Sequence, residues 1–315
     1  MTLHLCDLVD PDSVDAFLLD HLTDPVTADA KEELRALAQE ALSFTEPPAG
    51  AHVLLGRLAE LEGDLAAFVE HVRMAVRADP DFGPALDDQE YLGFLRTGAG
   101  RRAGAARRAE LLFHKADRWS GRVPQLADQV DLAGRVLGVD DPKTHAAGPA
   151  LASLWQFLQF LLFEGGLLGR FEADCGSLLS VVEREMLASW QDVRHRLIGL
   201  EEQHGRRARV VDVLTGERLD VAILHEEGDW PVGRIGLALL VPTGEQLVLI
   251  GEPVLLDDEM VRPFGTALIT GDARLTDMCL QLCFAASCER MMAEHHQRVR
   301  FALPEAHPEE RRPQS

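Results

Sequence analysis

Ala49-Gly50-Ala51-His52-Val53-Leu54-Leu55-Gly56-Arg57-Leu58-Ala59-Glu60-Leu61-Glu62-Gly63-Asp64, with Met74-Ala75-Val76-Arg77-Ala78-Asp79-Pro80 after it, decides how this chain is read. Apolar residues recur at helical spacing on both sides of Gly63-Asp64, which predicts two helices, about 50–62 and 64–78, joined by a tight turn. Gly56 lets a facing helix approach closely, Gly63-Asp64 breaks the chain, and Ala75 is small where the helices cross. Asp79-Pro80 stops the second helix and opens the next element.

Working outward, Ser13 or Asp12 caps a helix carrying Val14, Phe17, Leu18 and Leu22. Thr27 opens another, with Leu34, Leu37, Ala38, Ala41 and Leu42 on one stripe, which ends before Pro47-Pro48. Pro84 starts a further helix with Leu86, Tyr91, Leu92, Phe94 and Leu95, ending at Gly98. From Gln125 to Leu200 the pattern stays helical. It includes an uncharged helix over Leu151–Phe163 and a long amphipathic one over Leu178–Leu200, with Val181, Val182, Met186, Leu187, Trp190, Val193 and Leu197.

The period then changes. Ala208–Leu214 and Leu219–Leu224 flank Thr215-Gly216-Glu217, and Ile235–Val241 and Leu247–Ile250 flank Pro242-Thr243-Gly244-Glu245. Two hairpins predict a small antiparallel sheet or half-barrel. In the first, Val211, Val213, Leu219, Val221 and Ile223 are expected on the dry face, against Val210, Asp212, Asp220 and Ala222. The second is apolar on both faces and needs cover on both. Leu239 and Leu249 are expected in its core, under a helix at about 273–297 with Leu275, Met278, Leu282, Ala285 and Met292. Pro304–Ser315 reads as a disordered tail. The expected fold class is α+β, mostly α. Its parts are helical repeats over 1–98, a helical middle region with a basic segment over 99–205, an antiparallel β unit plus helix over 206–303, and a tail over 304–315.

Counted from Ala49 as the first of 34 positions, Leu55, Gly56, Gly63, Ala75 and Pro80 fall on the signature of the tetratricopeptide repeat, which this unit resembles. It departs from that signature at His52, where an aromatic is usual, and at Phe68, where a small residue is usual. The order of parts resembles actinobacterial proteins that join tetratricopeptide-like repeats, a SEC-C metal knuckle and a small β-rich C-terminal domain. The likeness rests on Leu65–Leu86, Trp190–Val221 and Gly233–Ile250, about half of the chain. Thr97-Gly98-Ala99-Gly100-Arg101-Arg102 looks like the remnant of the knuckle's glycine-rich centre. The resemblance puts its four ligand positions at Leu95, Thr97, Ala106 and Arg107, none of which binds zinc. What it implies is a degenerate knuckle without metal and a scaffold that binds a protein or peptide.

Composition narrows the partners. Lysine and arginine number 31 and aspartate and glutamate 52, a net charge of −21 that repels phosphate backbones and anionic lipid. Against that background Arg96–Arg122 holds eight basic residues and two acidic ones. It reads either as an anion or nucleic-acid contact through Arg101, Arg102, Arg107 and Arg108 or, better, as neutralisation by neighbouring acidic helices or a solvated arginine face. No aromatic interleaving suits base stacking. Five cysteines form no disulfide framework, and an acidic start without a secretory pattern leads us to expect a reducing cytoplasm. The longest uncharged run, Ala146–Phe163, holds Gly148-Pro149, Gln156 and Gln159 and barely reaches the ~17–18 residues a span requires, so a buried helix is expected, with no membrane partner.

No catalytic order emerges. Asp87-Asp88 and Asp257-Asp258 read as caps or loop charges, Ser177 and Ser180 as residues of a leucine-rich helix, and Gly165-Gly166 as a helix-ending turn. Cys279, Cys283, Cys288, His295 and His296 read as core and surface residues of one helix rather than metal ligands. The expectation is therefore a non-enzymatic adaptor without cofactor or metal. His52, Arg73, Arg77 and Tyr91 are the candidates to face its groove. Nucleic-acid association and an enzyme with an unrecognised site are the alternatives, and a homodimer is left open.

Overall fold

A computed structural model of the protein describes residues 3–21, 27–100, 103–122, 159, 161–163, 165–223, 230–256, 261–262 and 265–266. Its centre is helix α3, Ala49–Leu61. Apart from His52, Arg57 and Glu60 this helix is apolar all round, and a helix of that kind belongs inside. Ala49 through Gly56, Leu58 and Ala59 are buried accordingly. Around it pack a 3-10 turn (Leu5–Val9), α1 (Pro11–His21), α2 (Ala28–Leu42), α4 (Leu65–Ala78) and α5 (Gly83–Arg96).

Local chemistry sets the ends of these helices. The Thr27 hydroxyl accepts from Ala30 N at 3.2 Å and the Asp64 carboxylate from Ala67 N at 2.9 Å, while Pro84 stands in the first turn of α5. A Cβ on residue 56 would lie 3.3 Å from His71 Cβ and 3.4 Å from the Phe68 ring, so glycine lets α3 and α4 close as a tight hairpin. The helical N-terminal region thus forms as the sequence indicates.

Helices α6 (Ala105–Ser120), α7 (Leu167–Cys175) and α8 (Val181–Trp190) follow. Ser180 is a cap rather than a mid-helix serine: its hydroxyl accepts from Glu183 N at 3.3 Å while Glu183 Oε2 accepts from Ser180 N at 2.8 Å. One helix through Leu200 is corrected. Helix α8 stops at Trp190, and β1 runs from Arg196 to His204. Val193 and Leu197 continue the helical spacing, but Leu197-Ile198-Gly199-Leu200 is buried on both faces, and glycine weakens a helix by about 1 kcal/mol.

With β2 (Arg207–Asp212), β3 (Arg218–Ile223), β4 (Ile235–Pro242) and β5 (Leu247–Leu255), β1 makes a closed barrel in the order β1-β2-β3-β5-β4, with β4 paired back to β1. The expected antiparallel sheet is thereby corrected too: β3 and β5 run parallel, Val221 opposite Leu247 and Ile223 opposite Leu249. Without β1 the outer edges of β2 and β4 would be unpaired; with it both are closed.

The first hairpin faces differently from the expected pattern. Ala208 and Val210 point into the barrel, while Val211 is half-buried and Val213 exposed. Asp212 is buried because its Oδ1 accepts from Leu214 N and Thr215 N, each at 3.0 Å, clamping the turn at Gly216. On β3 Val221 and Ile223 lie inward and Asp220 is exposed as expected, but Ala222, expected on the wet face, is buried in the larger core. The second hairpin is covered on both sides, and Leu239 and Leu249 are buried. Ala238, Leu240 and Leu249 fill the barrel, while Leu237, Leu239, Val248 and Ile250 join the larger core with Phe113, Phe163 and Trp190. The 273–297 helix lies outside the described residues. Among those described, no helix is long and apolar enough to cross a membrane.

Polar ties join helices to barrel. Trp190 Nε1 donates to Pro242 O at 3.0 Å and Gln159 Nε2 to Ile250 O at 2.9 Å. Lys115 on α6, fully buried, meets Glu183 Oε1 at 2.5 Å. Removing one partner of such a pair strands the other charge in the interior. Lys115→Met should therefore lower unfolding stability by about 3–5 kcal/mol, and adding Glu183→Gln, which keeps the α8 cap, should restore much of it. Urea denaturation of the wild type and both variants measures this.

Candidate functional site

The densest polar grouping lies inside, where α3, α5, the end of α6 and α7 meet. Arg57 and Glu60 stand one turn apart on α3, Asp88 and Tyr91 one turn apart on α5, Arg122 just beyond α6, and Cys175 at the end of α7. Arg122 Nε donates to Glu60 Oε1 at 3.1 Å, and its Nη2 donates to Glu60 Oε2 at 2.9 Å and Asp88 Oδ1 at 2.7 Å. Arg57 Nη1 adds 3.0 Å to Glu60 Oε2, and its Nε lies 3.4 Å from Asp88 Oδ1. The Arg122 guanidinium also lies over the Tyr91 ring at 3.9 Å and the Phe68 ring at 5.7 Å. Two guanidiniums thus face two carboxylates, with aromatic rings as the floor.

The electrostatics follow from burial. Burial pushes the Glu60 carboxyl up to about 8 and Asp88 up to about 6, with the Arg57 charge pulling both down. Burial, reinforced by Glu60, raises the Tyr91 hydroxyl well above its ordinary value and the Cys175 thiol to about 12. The Tyr91 hydroxyl, close to Glu60 and Cys175, meets hydrogen-bond geometry with neither, and among the described residues Asp88 Oδ2 also has no hydrogen-bond partner. A carboxyl raised toward neutrality is the kind of group that proton transfer uses. Here both Glu60 oxygens already accept from guanidinium, so the arrangement acts as a clamp between helices and not as an open acid or base.

Of the four residues expected to line a groove, two are corrected. His52 is buried on α3, with its Nδ1 3.3 Å from His71 Nδ1 on α4, because every side of α3 meets another helix. Tyr91 is buried within the clamp under Arg122. Arg73 and Arg77 do face solvent on α4, Arg73 3.4 Å from Glu70 and Arg77 Nη1 3.8 Å from Met74 Sδ. Asp88 is no cap or loop charge: it sits mid-helix, and the clamp accounts for its burial.

The basic segment is largely paired inside the molecule. Arg107 bonds Glu110, Arg108 reaches Glu245 at 3.0 Å and Ala103 O at 2.6 Å, Arg118 meets Glu90 at 3.0 Å, Lys115 is buried in an ion pair, and Arg122 is half-buried in others. Arg101 and Arg102 lie outside the described residues, as do Cys279, Cys283, Cys288, His295, His296 and Asp257-Asp258. Among the described residues no group of three or more His, Cys, Asp or Glu is placed to hold a metal ion. Comparison with protein-family models, with curated proteins and with solved structures finds no match to this chain.

The clamp left one signal in the sequence. Arg57 and Glu60 are charges spaced one turn apart on an otherwise apolar helix, and charges on a buried helix require partners. Nothing in the spacing named Asp88 or Arg122.

The histidines and the carboxylates titrate with opposite sign. Burial lowers His52, with His71 adding to the effect, and burial lowers His71. Their contribution is complete above the ordinary imidazole value of 6.5 and lost as pH falls through the lowered folded values. Glu60 and Asp88 are raised, so their contribution is complete below 4.5 and 3.8 and lost as pH rises through about 8 and about 6. Glu60→Gln should flatten the decline in stability between about pH 6.5 and 8 while keeping the fall on the acid side. Urea midpoints across that range check it; an unchanged alkaline slope means Glu60 is not the titrating group.

Proposed function

We propose that this protein is a non-enzymatic cytoplasmic adaptor that engages a protein or peptide through its N-terminal helical unit. The observation that carries the reading is how the α3–α4 hairpin divides its residues. Helix α3 is consumed by the core, while α4 presents Glu70, Arg73 and Arg77 to water. Exposed contacts such as Arg73–Glu70 contribute only about 0–1 kcal/mol to a fold, so these cations are available to a partner. The resemblance to tetratricopeptide-like and SEC-C proteins supports the same class. The carboxyl oxygens gathered in the interior are largely occupied by two guanidiniums, which favours a structural role over a catalytic one. Affinity purification from the native host tests the reading. A protein partner should be enriched over a control, and Arg73→Glu/Arg77→Glu should reduce its recovery roughly tenfold, a loss of about 1.4 kcal/mol, with unchanged circular dichroism. Equal recovery, or no enrichment, overturns it.

Nucleic-acid association draws on one observation. Five-stranded Greek-key barrels recur as oligonucleotide-binding units, which read their ligand on the β2–β3 face. On that face here Arg209 meets Glu202 at 2.9 Å and Asp220 at 3.2 Å, Arg218 meets Glu201 at 2.9 Å, and neither strand has an aromatic for stacking. The protein should pass through an immobilised single-stranded oligonucleotide column at about 50 mM salt. Retention that falls steeply with salt, and disappears when Arg101, Arg102, Arg107 and Arg108 become serine, would replace the adaptor reading.

A further inference from the structure

Gly56 does more than close the α3–α4 hairpin. The Cβ it lacks would lie 3.3 Å from His71 Cβ, so the side chain of residue 71 leaves α4 directly against α3. One turn before Gly56 on α3 stands His52, in the position where the tetratricopeptide signature has an aromatic. The two imidazoles meet across the hairpin with Nδ1 3.3 Å from Nδ1, ring centroids 5.6 Å apart and planes inclined by 37°. The centroids are farther apart than the nitrogens by about two ring radii, so the rings meet head to head.

Only one proton fits between two nitrogens that face each other in this way. One ring donates its Nδ1–H to the bare Nδ1 of the other, which carries its own proton on Nε2. Burial holds both rings below the ordinary imidazole value, so both are neutral at pH 7, the form in which imidazole binds metals. Glu70, beside His71, adds a negative charge nearby. His52 is buried and His71 half-buried, which leaves the pair in reach of water on the α4 side.

The separation of the nitrogens carries chemical information. Two nitrogens bound to one tetrahedral zinc ion, each at about 2.0–2.1 Å, stand about 3.3–3.4 Å apart. Neighbouring ligands of a square-planar ion at the same bond lengths stand about 2.9 Å apart. The observed 3.3 Å matches the tetrahedral ion. The χ2 torsion of histidine is soft, and a turn of each ring aims both lone pairs at one point beside the line between the nitrogens.

We propose that His52 and His71 form a two-imidazole clasp for Zn²⁺ that ties α3 to α4, with water in the remaining coordination positions. On binding, the shared proton passes from Nδ1 to Nε2 of its own ring, so both Nδ1 atoms offer lone pairs and no net proton is released. A structural zinc site has four protein ligands. With two, the ion is exchangeable, and the hairpin folds without it through the hydrogen bond already present. The inference goes beyond the adaptor reading and makes no use of Arg73 or Arg77.

The test titrates Zn²⁺ into the metal-free, full-length protein against a chromophoric chelator. One site should be lost, or weakened at least about tenfold, in His52→Phe, which keeps an aromatic ring in the hairpin, and in His71→Leu. The same site should persist in Cys279→Ser/Cys283→Ser/Cys288→Ser, which removes the thiols of the C-terminal region as competing ligands. Binding that is unchanged in His52→Phe and lost in the cysteine variant puts the zinc elsewhere and overturns the proposal. Nitrogen-15 spectra of the wild-type imidazoles decide the matter without a variant. Saturating Zn²⁺ should shift Nδ1 of both His52 and His71 while Nε2 of each carries the proton; Nδ1 signals that stay in place overturn the clasp. No protein partner enters either measurement, so both stand apart from the outcome of the affinity purification.

Discussion

The Arg122 guanidinium, bonded to Glu60 on α3 and Asp88 on α5 and stacked on Tyr91, is the contact on which the helical layer depends. Helices α3 and α5 each carry a carboxylate inward. Neither could be buried alone, because an isolated charge in the interior costs several kcal/mol. Arg57 on α3 supplies one guanidinium, and the chain must travel to the end of α6 to supply the other. Bringing both together permits the burial and selects the arrangement of helices in which it occurs. An alternative packing that separated α6 from α3 would leave Glu60 and Asp88 with only Arg57.

A second buried pair, Lys115 with Glu183, repeats this logic one layer further on. Glu183 serves twice, closing the N-terminus of α8 through Ser180 and receiving the ammonium group of α6. Trp190, at the other end of α8, donates to the carbonyl of Pro242. Helix α8 thereby links the α6 interior to the rim of the barrel, and apolar packing of the β4 and β5 outer faces fills the space between. The division of charge follows. Lys115 and Arg122, which a sequence count would offer to an anionic partner, are turned inward as structural partners, while Arg107, Arg118, α4 and the exposed β strands keep charged side chains in water.

The helical half of the fold was legible because its signals are local. Thr27, Gly63-Asp64, Asp79-Pro80 and Pro84 each act within a few residues of themselves, through a cap, a turn or a missing donor. The barrel was half legible for the same reason: its turns at Gly216 and Gly244 announce themselves by residue type, both with positive φ. Strand β1 did not, because Val193 and Leu197 satisfy helical spacing as well as strand burial, and a short apolar run fits either state. The facing of β2 was ambiguous at Val210-Val211, where alternation is lost.

By itself the sequence determined the helices from α1 to α5 and where two hairpins turn, since each follows from the residues within one element. It also contained Arg57 and Glu60 as charges on an apolar helix. Tertiary structure alone decided that the sheet closes through β1, that His52 and Tyr91 are buried rather than offered to a groove, and that Arg122, Glu60 and Asp88 meet. Strand closure and ion pairing join residues far apart in the chain, and their energies depend on distance and burial, neither of which is encoded in local spacing.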